Sequence, residues 1–160
     1  MTAKTRKRID GSDKRRPEEQ QAHDEAVKRL AEERFGLSDW EVSFNIGGRG
    51  DDKPDIVALH AGQIVAVGEV ETEATISPRE AMQWKAMAES SPRFYLFVPD
   101  GTEQVAVKLI EEHEVHCAGL RRYSCSGGFL KVNSVPCKNG SCRSDEHIWW
   151  RNIGRGREVS

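Results

Sequence analysis

Three carboxylates stand out by type and spacing: Asp55, Glu69 and Glu71. Asp55 opens the run PDIVAL at 54–59, and the two glutamates close the run IVAVGEVE at 64–71. Both runs read as strands, and side chains two apart on a strand face the same way. Glu69 and Glu71 therefore share a face. The loop between the strands decides where Asp55 goes. With a three-residue loop, His60-Ala61-Gly62, the odd-numbered residues of both strands face together and Asp55 joins the glutamates. A two-residue loop would send it to the opposite face. Acidic groups gathered on one sheet face repel one another and are tolerated when a cation neutralises them; oxygen ligands suit Mg²⁺ or Mn²⁺. Such a cation polarises a phosphoryl oxygen and lowers the pKa of a bound water. The plain alternative is a set of solvated charges on an open sheet, since exposed glutamate is common.

The elements that must position these groups are legible around them. Pro17, Glu18 and Glu19 suit a helix start, Ala22, Ala26, Val27, Leu30, Ala31 and Phe35 form one stripe, and Gly36 is a stop, so a helix is predicted over 17–35. WEVSFNI at 40–46 alternates like a strand, with Val42, Phe44 and Ile46 on one side, and GGRGDDK at 47–53 reads as a loop. Ser77 is a good N-cap, Pro78 fits the first turn and Glu80 completes a capping box, which predicts a helix over 78–90. FYLFV at 94–98 is a continuous apolar run, as in a central buried strand. Val105, Ala106, Leu109 and Ile110 have helical spacing over 102–113, and a strand follows near 115–124. This order gives an α/β fold, a mixed sheet flanked by helices.

Composition bounds the function class. The chain has 160 residues, 37% hydrophobic and 31% charged, which fits one compact domain with polar ends. No apolar run approaches the ~20 residues of a membrane span. MTAKTRKRID has no apolar stretch behind its basic residues, so a secretory signal is not expected. Four cysteines in that context suggest a reducing, cytoplasmic setting. The net charge of −2 hides a pattern. Residues 1–16 hold seven basic and two acidic residues (+5), residues 17–116 nine and 21 (−12), and residues 117–160 eight and three (+5). Both ends would attract a polyanion and the middle would repel it. The first stretch is either a flexible solubilising tail or an arm along a phosphate backbone. The expected division is a basic tail at 1–16, a core at 17–124, a C-terminal β-hairpin at 125–153 and a tail at 154–160.

Asn139-Gly140 is the turn signal for that hairpin. It would pair Cys137 with Cys142, Leu130 with Trp149 and Phe129 with Trp150. Facing cysteines allow half a zinc site, a cross-strand disulfide or two free thiols. Cys125, Cys137, Cys142 and His147 are the candidate ligands of a structural Zn²⁺. Trp149 and Trp150, followed by Arg151, Arg155 and Arg157, offer a base-stacking platform or, more plainly, core and cover for the hairpin.

Pro54-Asp55, then Glu69-Val70-Glu71 within GEVETE, then Gln83-Trp84 in a helix and FYLFVPDG resembles the PD-(D/E)xK nuclease superfamily, over about residues 50–115. The resemblance implies a restriction-endonuclease-like α-β-β-β-α-β core and Mg²⁺- or Mn²⁺-dependent hydrolysis of DNA phosphodiester bonds. It puts the metal-binding acidic pair on Asp55 and Glu69. The family's lysine falls on Glu71, a departure that some active restriction endonucleases share. A carboxylate there is a further metal ligand or a general base for the attacking water. Lys85 would supply the positive charge if the lysine has migrated to the helix. Gln83 would position substrate, as the helix glutamine of some members does, and Glu25 would complete the acidic cluster. DNA would approach from the loop where Gly47, Gly48 and Gly50 flank Arg49. Members often act as dimers, so the resemblance leaves a homodimer open, and no residue of the sequence locates an interface. Two rivals remain: a binding module on the same fold without catalysis, favoured by the missing lysine and the acidic core, and a zinc-stabilised interaction domain built on the last third.

Overall fold

In the computed structural model, residues 16–37, 39–45, 53–126 and 128–136 are described. Their elements are α1 (Pro17–Glu33), β1 (Glu41–Phe44), β2 (Ile56–His60), β3 (Gln63–Val70), α2 (Pro78–Ser90), β4 (Phe94–Pro99), α3 (Glu103–His113), β5 (Gly119–Ser126) and β6 (Phe129–Val135). The α-β-β-β-α-β order expected for residues 17–99 is present, within an α/β fold whose mixed sheet is flanked by helices. The six strands lie in sequence order, β1 to β6. β3 pairs parallel with β4, and β4 parallel with β5; the remaining pairs are antiparallel.

The helices fall on the two faces as their stripes require. On one face, Ala26, Val27, Leu30 and Ala31 of α1, with Phe35 just beyond it, pack on Ile56, Ala58, Ala66, Val70, Tyr95 and Phe97. Phe35 meets Tyr95 and Phe97 edge-on, at centroid distances of 6.0 and 6.1 Å. Each such pair is worth about 0.5–1.5 kcal/mol beyond the buried area. Gly68 makes room for this: a Cβ there would stand 3.3 Å from the Phe35 and Phe97 rings. On the other face, α2 and α3 bury Ala81, Trp84, Met87, Ala106, Leu109 and Ile110 against Val67, Phe94, Leu96, Val98 and Leu120. Covered on both sides, Phe94 to Val98 are all buried, as their unbroken apolar run predicts.

The β2–β3 connection differs from the expected three-residue loop. His60 pairs with Gln63, so the turn is the two residues Ala61 and Gly62. Both have positive φ, 53° and 80°, as a tight turn matched to strand twist demands. Left alone, that turn would turn Asp55 away from the glutamates. A bulge between Ala58 and Leu59 corrects it: Leu59 pairs with Ile64 but Ala58 pairs with Ala66, so Val65 is the extra residue. Beyond the bulge, odd residues again stand opposite odd residues, through Val57↔Val67 and Ile56↔Gly68. The expected parity is reached by a different route.

β5 starts later than expected and runs through Ser126, across the position where the hairpin extension was to begin. β6 folds back on it, with Leu130 opposite Cys125 and Phe129 opposite Ser126. The expected turn at Asn139-Gly140 and its partners Cys137, Cys142, Trp149 and Trp150 lie outside the described residues. So do residues 1–15 of the basic tail. Among the described residues, no helix is long and apolar enough to cross a membrane.

Candidate metal centre

The carboxylates converge where β3 ends. One oxygen each from Glu69, Glu71 and Glu80 lie within 4.8 Å of one another, and all three residues are buried. Among the described residues this is the one such gathering of His, Cys, Asp or Glu. The trio is not the expected one, because Glu80 takes the place expected for Asp55.

Glu71 follows β3, and its N–H donates to the Phe97 carbonyl at 2.9 Å, prolonging the parallel pairing. Its side chain is fully buried and both oxygens are engaged. Thr75, from the short turn Glu73–Thr75, donates its hydroxyl to Oε1, and the Trp84 indole N–H donates to Oε2 at 2.8 Å. The Tyr123 hydroxyl donates to the Glu71 carbonyl at 2.7 Å. Glu80 lies in the first turn of α2. Its N–H donates to Ser77 Oγ at 3.2 Å, so the N-cap forms as expected. Its carboxylate, expected in a capping box, stands with the other two glutamates.

Asp55 lies one step beyond Ile56, opposite Glu69 by register. Its N–H donates to Glu69 Oε1 at 3.3 Å. Its own carboxylate is drawn elsewhere: Oδ2 accepts from the Val70 N–H at 2.8 Å and lies 3.2 Å from His23 Nε2. Asp55 therefore sits beside the trio rather than in it, close enough to repel Glu69. Burial pushes the Glu69 carboxyl well above the ordinary carboxylate range, and repulsion from Asp55, Glu71 and Glu80 adds to it. A donor set made only of carboxylate oxygens fits a hard divalent cation such as Mg²⁺ or Mn²⁺.

The other expected site residues fare differently. Lys85 is not brought to the carboxylates. Trp84 and Glu80 face the sheet, and Lys85, about 100° further round α2, faces α3. Its ammonium donates to the His113 carbonyl at 3.3 Å, in a depression lined by Met82, Glu89 and the end of α3. Gln83 is half-buried on the opposite flank of α2. Glu25 is exposed on α1, and the α1 residue that reaches the site is His23. Arg49 and its glycine loop lie outside the described residues. So do Cys137, Cys142 and His147 of the zinc set. Cys125 is an exposed free thiol. Cys117 is buried and donates to the Gly119 carbonyl, and burial pushes its thiol up to about 12.

Two residues escaped the sequence reading, each with a signal behind it. Stepping back along the α1 stripe from Val27 and Leu30 lands on position 23, a histidine in a core position, whereas Ala22 is exposed. Glu80 was assigned to capping, although position 80 also lies one turn before Trp84 on the inward face.

No protein-family model and no curated protein matches the chain. Among solved structures, the crystal structure of the YaeQ protein from Pseudomonas syringae aligns with a TM-score of 0.41 at 15% identity, over 75% of this chain and 74% of that one.

Proposed function

We propose that this protein is a metal-dependent nuclease of the PD-(D/E)xK type that hydrolyses DNA phosphodiester bonds with Mg²⁺ or Mn²⁺. The observation that carries this reading is the buried cluster of Glu69, Glu71 and Glu80 with Asp55 against Glu69. Glu69, Glu71 and Glu80 would hold the cation, and Asp55, beside Glu69, would be a further ligand through its other oxygen. When bound, the cation would polarise the scissile phosphate and make water a better nucleophile. The protein's own part is positioning. The Asp55 N–H sets the Glu69 oxygen, the Val70 N–H sets the Asp55 carboxylate, and Thr75 and Trp84 hold Glu71 from both sides. The +5 charge on each end of the chain supports a polyanionic substrate.

One observation favours a second reading, a binding module without catalysis. Lys85, the lysine that could replace the one missing at position 71, is bonded to the His113 carbonyl. The test is to incubate the purified chain with Mn²⁺ and single-stranded, duplex and branched DNA. The nuclease reading expects cleavage, and expects Asp55→Ala to lose both Mn²⁺ binding and cleavage. Mn²⁺ binding with every DNA left intact would favour the module. Absence of Mn²⁺ binding would refute the metal centre.

A further inference from the structure

We infer that His23 is a positioning residue of the carboxylate site, holding Asp55 so that its free oxygen is presented to the cation. The inference rests on the metal reading above. His23 is 2% exposed and lies on the face of α1 that otherwise buries Ala26, Val27, Leu30 and Ala31. A buried imidazole needs a partner for each nitrogen, and both partners here are carboxylates. Nδ1 is 3.0 Å from Asp24 Oδ1, and Nε2 is 3.2 Å from Asp55 Oδ2. The chain extends further on one side, where the Gln20 amide donates to Asp24 Oδ1 at 2.9 Å. On the other side, the Val70 N–H donates to the same Asp55 Oδ2 at 2.8 Å. Gln20, Asp24, His23 and Asp55 thus form one hydrogen-bonded line from the surface of α1 to the end of β3.

The geometry selects an oxygen. Both contacts on the Asp55 carboxylate use Oδ2, which leaves Oδ1 without a hydrogen-bond partner among the described residues. A ligand oxygen fixed in this way needs no rotamer search when the cation arrives. Partners that orient metal ligands from outside typically account for about 10–100-fold in metal affinity.

Two substitutions separate this role from mere packing. In His23→Gln the amide nitrogen takes the place of Nε2 and keeps the tie to Asp55. In His23→Asn it takes the place of Nδ1 and keeps only the tie to Asp24. Both remove the ring. Binding of Mn²⁺ to the full chain, read from the loss of the free-ion resonance signal, should weaken about 10–100-fold in His23→Asn and less than about tenfold in His23→Gln. Equal affinities in the two variants, with the wild type binding Mn²⁺, would overturn the role of His23 and leave the metal centre standing. A wild type that binds no Mn²⁺ would remove both. If His23→Asn does not fold, Asp24→Asn keeps the ring and weakens its far support. Several-fold weaker Mn²⁺ binding is then expected, and unchanged binding would overturn the inference.

Discussion

Replacing Glu69 by glutamine should stabilise the protein without metal and destabilise it, relative to wild type, with metal. Glu69 is buried, and Glu71 and Glu80 each place a carboxylate oxygen within 4.8 Å of it. Two unit charges at that distance repel by about 3 kcal/mol at an effective dielectric of about 20. Burial first, and then this repulsion, raise the Glu69 carboxyl well above the ordinary range, and by keeping a proton the folded protein escapes part of both costs. The stabilisation on neutralising it is then about 1–3 kcal/mol, at about 2–4 °C in Tm per kcal/mol for a chain of this size. The sign follows from proton linkage. Between the ordinary glutamate value, near 4.5, and the raised value of Glu69, the folded state holds a proton that the unfolded state has lost. Stability from this group is present below that window and is lost as pH rises through it. Glutamine does not titrate, so the advantage of Glu69→Gln should be small at pH 4 and grow toward pH 8. Mn²⁺ at a hundredfold excess over its Kd should add about 3 kcal/mol to the wild type and far less to the variant, reversing their order. Thermal melts at several pH values in chelator, repeated with Mn²⁺, test this. A metal-free difference that ignores pH, or a variant less stable than wild type at pH 8, would refute the electrostatic account.

Further outcomes follow from neighbouring contacts. Trp84→Phe takes the indole donor from the buried Glu71 oxygen and should cost about 1–3 kcal/mol in urea denaturation; a loss under about 0.5 kcal/mol would mean that hydrogen bond contributes nothing. Gly68→Ala places a methyl 3.3 Å from the Phe35 and Phe97 rings and should cost about 1–3 kcal/mol by overpacking, read as a lower Tm with an unchanged far-ultraviolet spectrum. Deleting residues 1–16 removes seven basic groups. DNA affinity should fall and its logarithmic salt slope should flatten, by as much as about 6 if all of them meet phosphates. An unchanged slope would make the stretch a solubiliser.

The parts of this fold governed by local chemistry were legible. Pro78 after Ser77 fixes a helix start from sequence alone, and five consecutive apolar residues at 94–98 have no place but the middle of a covered sheet. Parity between β2 and β3 was reached for an incorrect reason. Ala61-Gly62 favours a two-residue turn, and no feature of Val65 announces the bulge that compensates for it, because a bulge is chosen by the packing of the whole ribbon. Lys85 shows a different limit. A helical wheel places it on a flank of α2, but only the position of α3 says that the flank faces the His113 carbonyl. Glu80 had two mutually compatible local uses, and the tertiary one could be seen only once α2 lay against the end of β3.

On the proposed nuclease reading, a glutamate stands at position 71 where a lysine is expected, a difference of two in the charge of the site. A lysine at position 71 would offset one carboxylate. Glu71 adds one, and the donors it meets, Trp84 and Thr75, are neutral. They satisfy its oxygens without cancelling its charge, so Glu71 adds to the repulsion that, after burial and alongside Asp55 and Glu80, holds the Glu69 carboxyl high. On the nuclease reading, the bound cation must then answer both the protein's carboxylates and the charge that builds on the phosphate in the transition state. Two consequences follow for chemistry: the site should hold its cation more firmly than one with lysine, and it should stabilise an approaching phosphate less. Introducing the lysine, Glu71→Lys, would leave the buried Trp84 indole N–H, a donor only, facing another donor, although the Thr75 hydroxyl could turn to accept from the ammonium. The position is therefore committed to an acceptor by the indole that holds it, as much as by any metal it serves.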